Sequence, residues 1–278
     1  MKKALALVAG AGIVLALAGC SASGDNTEAS ADPIEGLVNP GVITYCIDPE
    51  YAPLEYYEDG SGGEIIGFDA DTARAFAELN GLDFKWEVTS FDGLMPGLTG
   101  GRCDAIPGGL YMNEERLAVA DASAMMNTGP AILASPAIAP KLTTKEDLCG
   151  LNVAAQAASA NAAAITALSE ECVANGKPAI NVTEYPKVSE TVLAVLNGKA
   201  DAMIETDVAA AYIETQNEGN IVFVNGIFEP DTQFGFYTQK GSAMSSAVTK
   251  GLKTLYENGT LKKIAEKYNL PVEILNVY

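Results

Sequence analysis

The sequence predicts an α/β protein of two similar lobes, on three observations. Strand-like and helix-like stretches of ordinary length alternate, which argues for α/β units with parallel pairing. A helix, a glycine and a buried strand recur in the same order in the two halves of the chain. The 278 residues, 48% hydrophobic and 19% charged, form an ordinary globular composition, sufficient for one large domain or two small ones.

At the start of the chain, Lys2 and Lys3 precede an apolar run from Ala4 to Ala18, followed by Gly19 and Cys20. This is export-signal architecture, because the run falls short of the roughly 20 residues that cross hydrocarbon. Leu17, Ala18, Gly19 and Cys20 resemble the bacterial lipobox, which implies a signal peptide over residues 1–19, cleavage before Cys20 and lipid on its sulfur. Residues 21–33 are rich in Ser, Ala, Asp, Asn and Glu, with too little apolar surface to offset the entropy of ordering. The stretch from 20 to 40 therefore reads as a flexible tether, with the folded part beginning near Val42.

From there, Val42–Ile47 is a β-rich run ended by Asp48 and Pro49, and Pro53 keeps the following residues out of a helix. Asp59 to Gly63 mark a turn. An amphipathic helix starts at Asp69 or Asp71, runs through Leu79 and stops at Asn80 and Gly81, and residues 84–88 return as a strand. The pattern of Leu94–Thr99 is helical and leads into Gly101, Arg102, Cys103, Asp104 and Ala105. Residues 191–196 lead in the same way into Gly198, Lys199, Ala200, Asp201 and Ala202. A polar helix start follows each strand, Asn113 to Arg116 in one half and Thr206 to Ala209 in the other. Paired lobes offer the cleft between them as a binding site that is able to close.

Charge and cysteine content narrow the chemistry. Lys and Arg number 17 against 36 Asp and Glu, a net charge of −19 that repels phosphate backbones, so nucleic acid is not an expected partner. The absence of histidine excludes Ser/His/Asp and Cys/His catalysis and His-ligated metals. No phosphate loop, dinucleotide fingerprint or calcium loop is present, and no cofactor or metal is expected. Cys46, Cys103, Cys149 and Cys172 form an even set that reads as disulfides in an exported protein, with three possible connectivities. Cys46–Cys103 with Cys149–Cys172 is favoured, since each bridge then lies within one half.

Several segments carry a resemblance to the family 3 solute-binding proteins of ATP-driven amino-acid importers. They are Asp48-Pro49-Glu50-Tyr51-Ala52-Pro53-Leu54-Glu55, Gly67-Phe68-Asp69-Ala70-Asp71, Ser90-Phe91-Asp92-Gly93-Leu94, the two glycine-to-strand units, Glu115-Arg116, Glu146-Asp147-Leu148-Cys149-Gly150 and Asn258-Gly259-Thr260-Leu261. The resemblance implies the type II periplasmic binding protein fold, two α/β lobes joined by two crossover strands with a ligand cleft between them. Lobe 1 is expected over 41–130 and 236–278 and lobe 2 over 131–235, with the crossovers near 127–133 and 233–237. It further implies a monomeric, lipid-anchored, extracytoplasmic protein that captures an amino acid or related small carboxylate and passes it unchanged to a membrane permease.

Residue by residue, the resemblance gives Arg116 the ligand's α-carboxylate, which a guanidinium matches with two parallel hydrogen bonds. Ser159 at a helix start supports the same anion, and Tyr51, Phe91 and Tyr111 match or adjoin positions that cover the ligand's side chain. Asp48 matches a position near the entrance that faces a cationic group in members taking basic side chains. The chain also departs from the family. Tyr111, preceded by Gly108 and Gly109, stands where a serine is usual; Ala158-Ser159-Ala160 replaces Gly-Thr-Thr; Leu54 replaces a phenylalanine. Thr206 takes the place of the aspartate that holds the α-ammonium, although Glu205 and Asp207 flank it. Two other readings of the same resemblance are a periplasmic enzyme like the cyclohexadienyl-acid dehydratases and a ligand-sensing receptor.

Overall fold

The computed structural model describes residues 34–278, so the export signal, Cys20 and most of the tether lie outside the described residues. In chain order the elements are β1 (Val42–Ile47), β2 (Glu50–Tyr51), β3 (Glu55–Tyr57), β4 (Ile65–Ile66), α1 (Phe68–Leu79), β5 (Asp83–Val88), α2 (Leu94–Thr99), β6 (Ala105–Ile106), α3 (Glu114–Val119) and β7 (Ala120–Thr128). There follow β8 (Pro130–Ala134), β9 (Asn152–Gln156), α4 (Ala160–Ala174), β10 (Asn181–Tyr185), α5 (Val188–Leu196), β11 (Ala202–Thr206), α6 (Asp207–Gln216) and β12 (Val222–Val224). The chain ends with β13 (Thr232–Gln239), α7 (Ala243–Glu257) and α8 (Thr260–Lys267).

Two five-stranded sheets result, in the orders β5-β1-β6-β13-β7 and β10-β9-β11-β8-β12. In the first, β1 runs parallel to β5 and β6, and β13 is antiparallel to β6 and β7. In the second, β9 runs parallel to β10 and β11, and β8 is antiparallel to β11 and β12. The two sheets share one topology. A short antiparallel sheet of β2, β3 and β4 lies beside them. Parallel strands covered on both faces need continuous apolar runs, and five consecutive residues of β1 are buried.

The repeated glycine-to-strand unit has the same physical purpose in each half. Asp104 N donates to the Thr44 carbonyl at 2.8 Å while Thr44 N donates to Asp104 Oδ2 at 2.7 Å. In the second half, Asp201 N donates to the Asn152 carbonyl at 2.8 Å and Asn152 N donates to Asp201 Oδ2 at 2.8 Å. Each aspartate thus clamps the neighbouring strand through a charge-assisted bond. Helix α1 buries Phe68, Ala73, Phe76 and Ala77 at helical spacing against the first sheet, with Asp69 and Asp71 in its first turn.

Both favoured disulfides are present. Cys46 and Cys103 have Cα atoms 5.6 Å apart, and Cys149 and Cys172 have theirs 5.8 Å apart. Neither joins the two sheets.

Two sequence expectations are corrected. Ordered structure begins before Val42: Ile34 and Leu37 pack against the first core, and Val38 N donates to Asp104 Oδ1 at 2.7 Å. Order extends back because apolar side chains among polar neighbours find a buried face. The second passage between sheets also lies earlier than 233–237, because β13 already pairs with β7 at Thr232↔Thr128. Residues 232–235 therefore belong to the first sheet. The first passage is the turn at Gly129, where a Cβ would stand 2.5 Å from the Pro230 Cα; the two connections are packed so closely that only a glycine fits.

Candidate functional site

The carboxyl ends of parallel strands are where open α/β sheets expose backbone and side chains to a crevice, and in both halves these ends carry the site. A narrow cleft, with free space of about 20 Å³, is lined by Tyr51, Phe91, Gly109, Tyr111, Arg116 and Phe234 from the first half. The second half contributes Gln156, Ser159, Ala160, Asn161, Glu205 and Thr206. Of the sequence-predicted residues, Asp48 and Asp207 are not in this lining. Gln156, Asn161 and Phe234 are not singled out by the sequence, which marks Glu205 and Asp207 together as the acids flanking Thr206 that could replace the family's aspartate.

Arg116 sits in the first turn of α3, whose N-cap Asn113 accepts from Arg116 N through Oδ1 at 2.9 Å. That cap aims the side chain inward, where Nη1 donates to the Tyr111 carbonyl at 3.0 Å and the guanidinium lies 5.9 Å from the Phe91 ring centroid. Among the described residues no carboxylate lies within ion-pairing distance of it, Glu114 and Glu115 included. Burial lowers its pKa from the ordinary value, because desolvation disfavours the charged form. A partly desolvated guanidinium with a face free of carboxylates is suited to an anion from solution.

Across the cleft, Glu205 is the penultimate residue of β11 and is 4% exposed. Its Oε1 accepts from Thr206 N at 2.8 Å and from the Tyr51 hydroxyl at 3.2 Å. Burial pushes its carboxyl up to about 7, against the opposing pull of those two donors. Thr206 caps α6 by accepting from Ala209 N at 3.4 Å, and its Oγ1 lies 2.5 Å from the Tyr51 hydroxyl. Tyr51 therefore bridges the two halves. Ser159 caps α4, accepting from Ala162 N at 3.0 Å and donating to the Gln156 carbonyl at 2.7 Å; it lines the cleft beside the first amides of a 15-residue helix. Among the described residues, two buried polar atoms in the cleft lack partners, the Tyr111 hydroxyl and Asn161 Oδ1.

Aromatic rings set the shape. Tyr111 stacks on Phe234 with centroids 5.3 Å apart, and Tyr51 meets Phe234 edge-on at 6.4 Å. The turn before Tyr111 packs against a buried acid pair: a Cβ on Gly108 would stand 2.1 Å from Asp69 Oδ2, and Gly109 has φ +68°. Both positions therefore require glycine. Burial raises the carboxyl pKa values of Glu55 and Asp69, and the negative charge of Asp69 further raises that of Glu55.

The two residues outside the lining have other partners. Asp207 Oδ1 accepts from the Thr128 hydroxyl at 2.6 Å, from Gly129 N at 3.3 Å and from Val208 N at 2.8 Å, which turns its carboxylate onto the first connection and away from the cleft. Asp48 lies beside the Phe91 backbone, and burial followed by the Glu50 carboxylate pushes its pKa up to about 6.

The arrangement sets a guanidinium suited to an anion, Arg116, and a carboxyl suited to a cation, Glu205, in one cleft lining, and among the described residues no cluster fit for a metal ion occurs. Nor is any described helix long and apolar enough to cross a membrane. The arginine-binding protein ArgT of Corynebacterium glutamicum is 27% identical over 243 residues, 87% of this chain and 79% of that protein. A solved ancestral arginine-binding protein bound to arginine superposes with a TM-score of 0.74 at 24% identity, covering 82% of this chain and 98% of its own. An ancestral amino acid-binding protein described as a precursor of cyclohexadienyl dehydratase superposes at 0.69 with 28% identity, covering 82% and 95%. The type II periplasmic binding protein fold is thereby established. With the model of the bacterial extracellular solute-binding proteins, family 3, matching residues 43–271, the chain belongs to that family.

Proposed function

We propose that this solute-binding protein captures an amino acid in the cleft between its two sheets and delivers it unchanged to the permease of an ATP-driven importer. One observation carries the reading: the half-buried guanidinium of Arg116 and the buried carboxyl of Glu205 face one cleft from opposite halves. Arg116 takes the α-carboxylate and Glu205 the α-ammonium, filling the role that the family gives to an aspartate one residue later. Ser159 and the first amides of α4 add hydrogen bonds to the carboxylate. The relatives named for amino acids support the ligand class. Lipidation at Cys20 would hold the receptor at the membrane beside its permease.

Isothermal titration with a panel of amino acids tests the site. Arg116→Ala should lose about 3 kcal/mol or more of binding, because a buried ligand carboxylate is left unpaired, and Arg116→Lys should retain part of it. Undiminished binding by the alanine variant would remove Arg116 from the site.

A second reading rests on Glu205 itself. A buried carboxyl near 7 has the acidity of a general acid or base, and one structural neighbour is a precursor of a dehydratase. Incubation with cyclohexadienyl acids followed by mass spectrometry distinguishes the two, and unchanged substrate masses support the binding protein.

A further inference from the structure

The mouth of the cleft carries charges that the grip on an α-amino acid does not use. Glu50 immediately precedes the lining residue Tyr51. Lys187 follows Pro186, whose carbonyl accepts from Nε2 of the lining residue Gln156 at 3.4 Å. From these opposite halves, Lys187 Nζ meets Glu50 Oε1 at 2.5 Å. Asp48 stands on the same rim beside the backbone of the lining residue Phe91, close enough to Glu50 and Lys187 to feel both charges. Lys187 in turn feels Asp48 and Glu190 in addition to Glu50. One ammonium is thus paired with Glu50 beside the ligand cleft and lies within the field of Asp48 and Glu190.

Without that ammonium the rim would be strongly negative in a chain whose net charge is already −19, and it would draw in a ligand whose side chain ends in a cation. With the ammonium in place, such a side chain must displace Lys187 from Glu50 or share the rim with a like charge. We infer that Lys187 is a specificity-determining residue: it supplies from the second half the positive charge that a basic side chain would bring, and so selects amino acids with neutral side chains. The inference rests on the amino-acid reading proposed above. It departs from the ligand for which the arginine-binding relatives are named.

The test is titration of arginine, glutamine and alanine into the wild type, Lys187→Gln and Lys187→Arg at low ionic strength. The wild type should prefer a neutral probe to arginine. In Lys187→Gln, arginine should gain about tenfold relative to the better neutral probe, and Lys187→Arg should keep the wild-type ratio within about threefold. A wild type that prefers arginine would overturn the inference, as would a ratio unmoved in Lys187→Gln, including the case where every affinity falls together because the ion pair only fastens the halves. Binding that Arg116→Ala abolishes, with the ratio unmoved, overturns the inference alone; no binding of any probe to any of the three proteins overturns it together with the amino-acid reading.

Discussion

Glu205 makes the account sensitive to pH. An acid raised from 4.5 to about 7 on folding binds more protons in the folded than in the unfolded chain between those values, so it lowers stability as pH rises through that window. Glu205→Gln removes the effect. Its unfolding free energy relative to wild type should therefore grow by about 3 kcal/mol between pH 4.5 and 7.5 in urea titrations without ligand; a difference that stays flat would remove the buried acid from the account. Ligand affinity has the opposite dependence, because an ammonium is held by the charged form: it should fall up to about tenfold per unit below pH 7. Titrations in buffers of different ionisation enthalpy should show proton release on binding at pH 7, and uptake would contradict this. The sequence alone singles out Arg116 through its family motif, and Tyr51, Phe91, Gly109, Tyr111, Ser159 and Thr206 likewise come to line the cleft. It cannot rank Glu205 against Asp207, since that choice depends on where each carboxylate turns. Glu205 folds back onto the Thr206 amide at the strand end, whereas Asp207 opens a helix and is held by Thr128 and Gly129.

Among the elements, the repeated aspartate gives a paired prediction. Asp104 is 6% exposed and accepts from the amides of both Val38 and Thr44, so Asp104→Ala leaves two amides short of a partner and should cost about 3 kcal/mol. Asp201 accepts from Asn152 N and Asn152 Nδ2 near the surface, and Asp201→Ala should cost about 1 kcal/mol. Equal losses, or the reverse order, in denaturant melts would show that the two clamps are not ranked by burial. These elements were easy to read because glycine, aspartate and small apolar residues recur in one order and the strands that follow are buried. Val42–Ile47 and Leu94–Thr99 have the predicted bounds. The second passage was misplaced because the aromatic run Phe234 to Tyr237 reads as a continuous strand, and its pattern does not reveal which sheet it joins.

At the scale of the whole molecule, neither disulfide crosses between the sheets, whereas Tyr51 and the Lys187–Glu50 pair do. Stability and binding should therefore separate. Replacing Cys149 and Cys172 by serine should cost about 3 kcal/mol through the freed loop of the unfolded chain, while ligand affinity changes less than about twofold. A large loss of affinity would mean that the second half must be braced by its disulfide to form the cleft.

The central claim is that an amino acid lies between Arg116 and Glu205. A crystal structure of the protein with the amino acid that binds it most tightly tests this directly. The account predicts the ligand's carboxylate on the Arg116 guanidinium and its ammonium within hydrogen-bond reach of Glu205. A ligand bound elsewhere, or one held in the cleft with Arg116 turned to solvent, would contradict it.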